Sequence, residues 1–245
     1  MNTKSELVHK LQQDILMWQG FKPAAEGRAD RIGLGAIEDA FPGGVFPKGA
    51  IHEFIAVCPE DAAASDGFIA GLLAALMNDG AASLWISTAR HLFPAALSAF
   101  NVATERIIFI DVDTEKDALW VMEEALRCKG LAVVVAEVDA LGLIESRRLQ
   151  LAVEESGVTG FIMRKDTRRM ASTIATARWQ ISPLPSVLEA GMPGLGFPRW
   201  QVALLKVRNG IPGSWMMEWA GTGFLEIKQA LQQDDWKSGE QRQIG

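Results

Sequence analysis

Hydrolysis of a nucleotide needs three kinds of residue in set places: a glycine-rich loop ending in Lys and Ser or Thr, an acid closing a central strand, and a carboxylate that positions water. The loop belongs between a strand and a helix. Here the strand-like run Ile51 to Val57 and the helix-like run Phe68 to Met77 enclose CPEDAAASDG, which has neither the lysine nor the glycine pair. No lysine occurs anywhere between Lys48 and Lys116. Glu60, Asp61 and Asp66 would repel a phosphate drawn to the amides of a helix start. The stretch therefore reads as a structural turn, with Ser65 or Asp66 expected to cap the helix from Phe68. Glu137 and Asp139 do follow the apolar run Leu131 to Val135, but with no lysine loop beside them, helix capping or surface charge is expected before Mg²⁺ coordination. The third requirement is unmet as well, because Ser83 to Arg90, SLWISTAR, ends in hydroxyls and a base.

Other chemistries find less support. There is no G-x-S-x-G elbow, and His9, His52 and His91 stand apart from any Ser and carboxylate set in sequence. None has a ligand-spaced Cys or His neighbour, so no metal or other cofactor is expected. Cys58 and Cys128 are too few for a disulfide framework and are expected to be reduced and half-buried. The densest positive patch is Arg164, Lys165, Arg168 and Arg169, offset by Asp166 alone, at the carboxyl end of a strand-like run. Ligands favour that edge of α/β sheets, so it fits an anionic partner, single-stranded DNA or an acidic protein face. A solvated loop is the competing reading. Arg147 and Arg148 share a helix with Glu145, Glu154 and Glu155, and pairing within the helix is expected.

The elements that must position these residues follow from periodicity. Leu7, Leu11, Ile15 and Trp18 form one stripe of an amphipathic helix, which needs the chain's own core or a neighbouring protein to cover it. Residues 1–30 read as this helix and a linker, 31–227 as the core domain, and 228–245 as a polar tail. Within the core, strand-like and helix-like runs alternate from Ile51 to Arg164; Thr114 and Asp117 have capping-box spacing before a helix reaching Cys128, with Leu119, Met122 and Leu126 on its inner stripe. The alternation implies an α/β fold with a mostly parallel, doubly wound sheet. Three further strand-like runs, Ile174 to Ser182, Trp200 to Arg208 and Ser214 to Ala220, have no helix between them, and Asn209-Gly210 marks a hairpin; antiparallel strands are expected at the C-terminal edge. The chain has eight tryptophans and no tyrosine, and Trp179, Trp200, Trp215 and Trp219 fall in this last region. Trp215 and Trp219 share a strand face, either as core packing or as a protein-docking surface.

Composition narrows the setting. A net charge of −6 argues against nonspecific duplex binding by the whole surface, although a local basic patch stays compatible with it. No apolar run approaches the ~20 residues of a membrane span. The first residues lack the continuous apolar stretch of a secretory signal, so a cytoplasmic location is expected.

Several blocks carry a family resemblance: FPGGVFPKGAIHEF, DTEKDALWVMEEALRCKGLAVVVAEVDAL, SRRLQLAVEESG, ARWQISPLPS and PRWQVALLKVRNGIPGSWMMEW. Their order and spacing over roughly Ile32 to Ile227 resemble the RecA-like recombinase core, and more closely the ImuA family of RecA relatives with a degenerate P-loop. The resemblance implies a noncatalytic protein induced by DNA damage, acting in error-prone translesion synthesis. Implied partners are an ImuB-like Y-family protein, a DnaE-type polymerase and RecA, with recruitment to the nucleoid. It also implies that the second DNA-binding loop of the RecA fold falls at Arg164 to Ala171, where DNA contact is an expectation. Two other readings stay open: a cell-division inhibitor resembling SulA, and an ATPase with a nonstandard loop.

Overall fold

Strand β4, Leu131–Val138, explains the arrangement of the rest. Its valines bury both faces, Val133 and Val135 in one apolar cluster and Val134 in the other. A strand apolar on both sides requires helices above and below it. The computed structural model, which describes residues 31–77, 80–165, 173–188 and 196–227, supplies them. Helix α1, Pro59–Leu76, covers the first face, and α2, Glu115–Leu126, and α3, Leu143–Ser156, cover the second.

The remaining strands are β1 Ile51–Ile55, β2 Ala82–Ser87, β3 Ile107–Asp111, β5 Thr159–Arg164, β6 Ala177–Leu184, β7 Arg199–Val207, β8 Gly213–Trp219 and β9 Phe224–Glu226. They form one sheet in the order β3-β2-β4-β5-β1-β6-β7-β8-β9. Strands β3 through β6 in that order run parallel, and β7, β8 and β9 are added antiparallel. The expected α/β architecture with an antiparallel C-terminal edge is present, with one correction. Strand β6 was expected in the antiparallel set, yet it lies parallel to β1, His52 opposite Ala177, and the reversal begins at β7. Asn209, at φ 58°, turns the chain between β7 and β8.

Local signals account for several boundaries. Thr114 Oγ1 accepts the Asp117 amide at 3.2 Å and so caps α2, a contact worth about 1 kcal/mol. Helix α3 ends where Gly157 adopts φ 79°, a conformation that favours glycine. The segment Pro94–Phe100 is a 3-10 helix.

The first core is aromatic. Trp179 is fully buried, stacked on Phe54 with ring centroids 5.9 Å apart. Trp219 is 3% exposed and packs on Phe100 and Phe224. Trp219 is therefore core rather than docking surface, and Trp215 is half-buried against the same cluster. Helix α1 approaches β8 and β9 closely: a Cβ on Gly71 would stand 2.5 Å from Phe224 and 3.1 Å from Trp219. Buried His52 donates from Nε2 to the Pro47 carbonyl at 2.8 Å and accepts Trp179 Nε1–H at Nδ1. Burial pushes its pKa down to about 4, so it is a neutral packing group. Both cysteines are exposed, contrary to expectation: Cys58 immediately precedes α1 and Cys128 follows the end of α2.

Candidate functional site at the carboxyl edge of the sheet

Ligands of open parallel sheets enter at the carboxyl ends of the strands. At the end of β1 the Ala56 amide still bonds the Arg164 carbonyl at 2.9 Å. Only Ala56, Val57 and Cys58 separate β1 from α1, which begins at Pro59 rather than at Phe68. The stretch expected as a turn is thus the start of the helix. Proline suits a first helical position, where no amide bond is lost. Glu60 and Asp61 in the first turn oppose the positive end of the helix, and Ala62 to Ala64 are strong helix formers.

Neither Ser65 nor Asp66 caps anything, since both lie well inside α1. Cys58 is the residue before the helix, with no side-chain capping bond. Asp61, in the first turn, ties the helix back to the β1 end: its Oδ2 accepts the Val57 amide at 3.4 Å, and its carbonyl accepts the Ser65 hydroxyl at 2.8 Å. Asp61 is 5% exposed. A phosphate approaching the positive end of α1 would meet this carboxyl group and no loop to wrap it.

Glu137 of β4 was expected on the surface or at a helix cap, and it is neither. It is 5% exposed, accepts Trp85 Nε1–H at 2.9 Å, and stands 3.5 Å from Lys165 Nζ. A carboxylate so occupied has little to offer Mg²⁺. Asp66 faces the same pair from α1. Burial, and then the charge of Glu137, pushes its carboxyl up to about 7 against the pull of Lys165. Asp66 Oδ1 is buried with no hydrogen-bond partner among the described residues. No three His, Cys, Asp or Glu side chains converge on a metal position among those residues.

Beyond β2, Ser87 Oγ accepts the Arg90 amide at 3.0 Å, and Arg90 Nε donates to Asp111 at 2.6 Å. That hydrogen bond holds the Asp111 carboxyl below its ordinary value. An exposed ion pair stands where a water-positioning carboxylate would be needed.

The strand-end basic patch is divided. Arg164 is 2% exposed and points at fully buried Glu53, 3.7 Å away, which also accepts Arg178 Nε–H at 2.8 Å. Arg164 is therefore a member of an internal charge network and not a surface contact, because β1, β5 and β6 lie side by side and bring these three residues together. Lys165 is partly exposed and paired with Glu137. Arg168 and Arg169, and Leu7, Leu11, Ile15 and Trp18, lie outside the described residues. Arg148 pairs with Glu123 across to α2, not within its own helix as expected.

Sequence reasoning missed a second set of cations. Arg178 Nη2 donates to Thr173 Oγ1 at 3.2 Å, Lys206 Nζ to the Thr173 carbonyl at 2.9 Å, and Arg208 Nη2 to the Ile174 carbonyl at 3.2 Å. Burial, and then the charge of Arg178, lowers the Lys206 pKa. The only hint was alternation in two strand-like runs; the register that sets Arg178 opposite Lys206 is long-range.

No family model matches the chain. Over 199 residues, 76% of this chain and 82% of the relative, it is 33% identical to "Protein ImuA" of Caulobacter vibrioides strain NA1000 / CB15N, and equally so to that of strain ATCC 19089 / CIP 103742 / CB 15. Among solved structures it is similar to the crystal structure of the RadB recombinase, with a TM-score of 0.56 and 15% identity over 81% of this chain and 100% of that one. That likeness shows a shared RecA-like fold.

Proposed function

The chain belongs to the ImuA family, and from that premise we propose that it acts without catalysis of its own, as a RecA-like accessory protein in DNA-damage-inducible translesion synthesis. It works through protein contacts, with an ImuB-like Y-family protein, an error-prone DnaE-type polymerase and RecA. It is cytoplasmic and joins the nucleoid when recruited. The observation that carries the reading is the filled phosphate position: α1 starts right after β1 with Asp61 at its positive end, and Glu137 is engaged by Trp85 and Lys165. A fold that has closed its nucleotide site keeps its surfaces, and those are what an adaptor uses.

Two measurements test this. Calorimetry with ATP and Mg²⁺ should show no binding heat and no shift in melting temperature; a ligand at about 100 times its dissociation constant would add about 2.7 kcal/mol of stability. Affinity purification from DNA-damaged cells should recover a Y-family-like protein with the chain. Saturable heat with ATP, or purification without any such protein, would overturn the proposal.

A further inference from the structure

The first turn of α3 exposes two large aliphatic side chains, Leu143 at 57% and Ile144 at 75%. With Ile174 and the arginines 147 and 148 they line a shallow, open cleft on the second face. The cleft is built rather than incidental. The Ile174 amide donates to Ser146 Oγ at 3.4 Å, tying the 173–175 segment to α3, while Lys206 and Arg208 hold the Thr173 and Ile174 carbonyls from β7 and just beyond it. Arg147 is exposed and has no ion-pair partner among the described residues, whereas Arg148 is matched by Glu123. Glu145 is the one acid in the first turn of α3, and its carboxylate lies against Gly142. Around the cleft, then, aliphatic walls meet an excess of positive charge.

We propose that this cleft docks an acidic amphipathic segment of a partner protein, its aliphatic anchors seated between Leu143, Ile144 and Ile174 and its carboxylates on Arg147 and the neighbouring cations. Charge complementarity selects the occupant: a neutral apolar segment would leave Arg147 unmatched, and a basic one would be repelled. Single-stranded nucleic acid fits less well, because among the described residues no aromatic ring lines the cleft and sequence-tolerant strand binding relies on base stacking. An amphipathic helix laid in a groove is a common form of such docking. The proposal rests on the reading that the chain works through protein contacts, and it names one surface for them.

The probe is a fluorescein-labelled peptide of about 12 residues with leucines at helical spacing and glutamates elsewhere, measured by anisotropy on the full chain. Binding on the order of 10 µM is expected, weakened at least about tenfold by Ile144→Asp and by Arg147→Glu, and weakened by salt. Both positions are exposed, so both variants should keep the parent's circular dichroism; Ile144→Ser replaces the first if it does not. Absence of peptide binding, or equal binding by parent and variants, overturns the docking site. So does an oligo-dT strand that displaces the peptide and is lost with Arg147→Glu alone. Parallel purification from damaged cells separates the two levels: a Y-family-like protein retained by parent and variants alike removes this surface and leaves the proposed function standing.

Discussion

Asp66 holds its proton up to about pH 7 because its carboxyl is largely desolvated beside Glu137, and Lys165 only partly offsets that repulsion. An unfolded chain releases the same proton near 3.8. The folded state therefore binds the extra proton between these values, and the stability this group lends is complete below about pH 4 and lost as pH rises through 7. Asp66→Asn, neutral throughout, should be more stable to unfolding than the parent at pH 8, by an amount of order 2–4 kcal/mol, with the two converging near pH 4. A parent and variant that differ equally at both pH values would refute the assignment. None of this was legible from the residue itself, which reads as one acid among several in a polar stretch. Its burial depends on α1 lying over the carboxyl end of β4, where Glu137 stands. The missing lysine, in contrast, was plain in the sequence, because an absent residue type needs no neighbours to be recognised.

At the scale of elements, the start of α1 was the largest misreading. Serine and aspartate suit a loop as readily as a helix interior, and the choice is tipped by the alanines 62 to 64 and by Asp61, which bonds the Val57 amide across the junction with β1. Grafting a phosphate-loop ending as Ala64→Gly, Ser65→Lys and Asp66→Thr should therefore not create ATPase activity. It places glycine inside a helix and a lysine where Ser65 is 1% exposed, and should lower stability by several kcal/mol. Phosphate release above background by the purified graft would show that a latent site survives. Elements specified by nearby residues were read well: the Thr114 cap, the doubly buried β4, and the β7–β8 hairpin at Asn209. The direction of β6 was not, since its parallel pairing with β1 joins segments more than a hundred residues apart.

Across the whole molecule, one sheet carries two apolar clusters, aromatic under α1 and aliphatic under α2 and α3. Native-state hydrogen exchange should find the slowest amides in β4, β5 and β1, and much faster ones in Phe224–Glu226 at the far edge. Uniform protection along the sheet would contradict that ranking. The α/β class, a mostly parallel sheet and the missing phosphate-loop residue types were already present in the chain as written, because periodicity and missing residue types are local properties. What fills the old ligand edge was not: Asp66 beside Glu137 and Lys165, Arg164 turned inward to Glu53, and Arg178, Lys206 and Arg208 gathered on one segment. Hydrogen bonds and ion pairs act over a few ångströms, so the partners of these side chains were settled when distant strands were laid side by side.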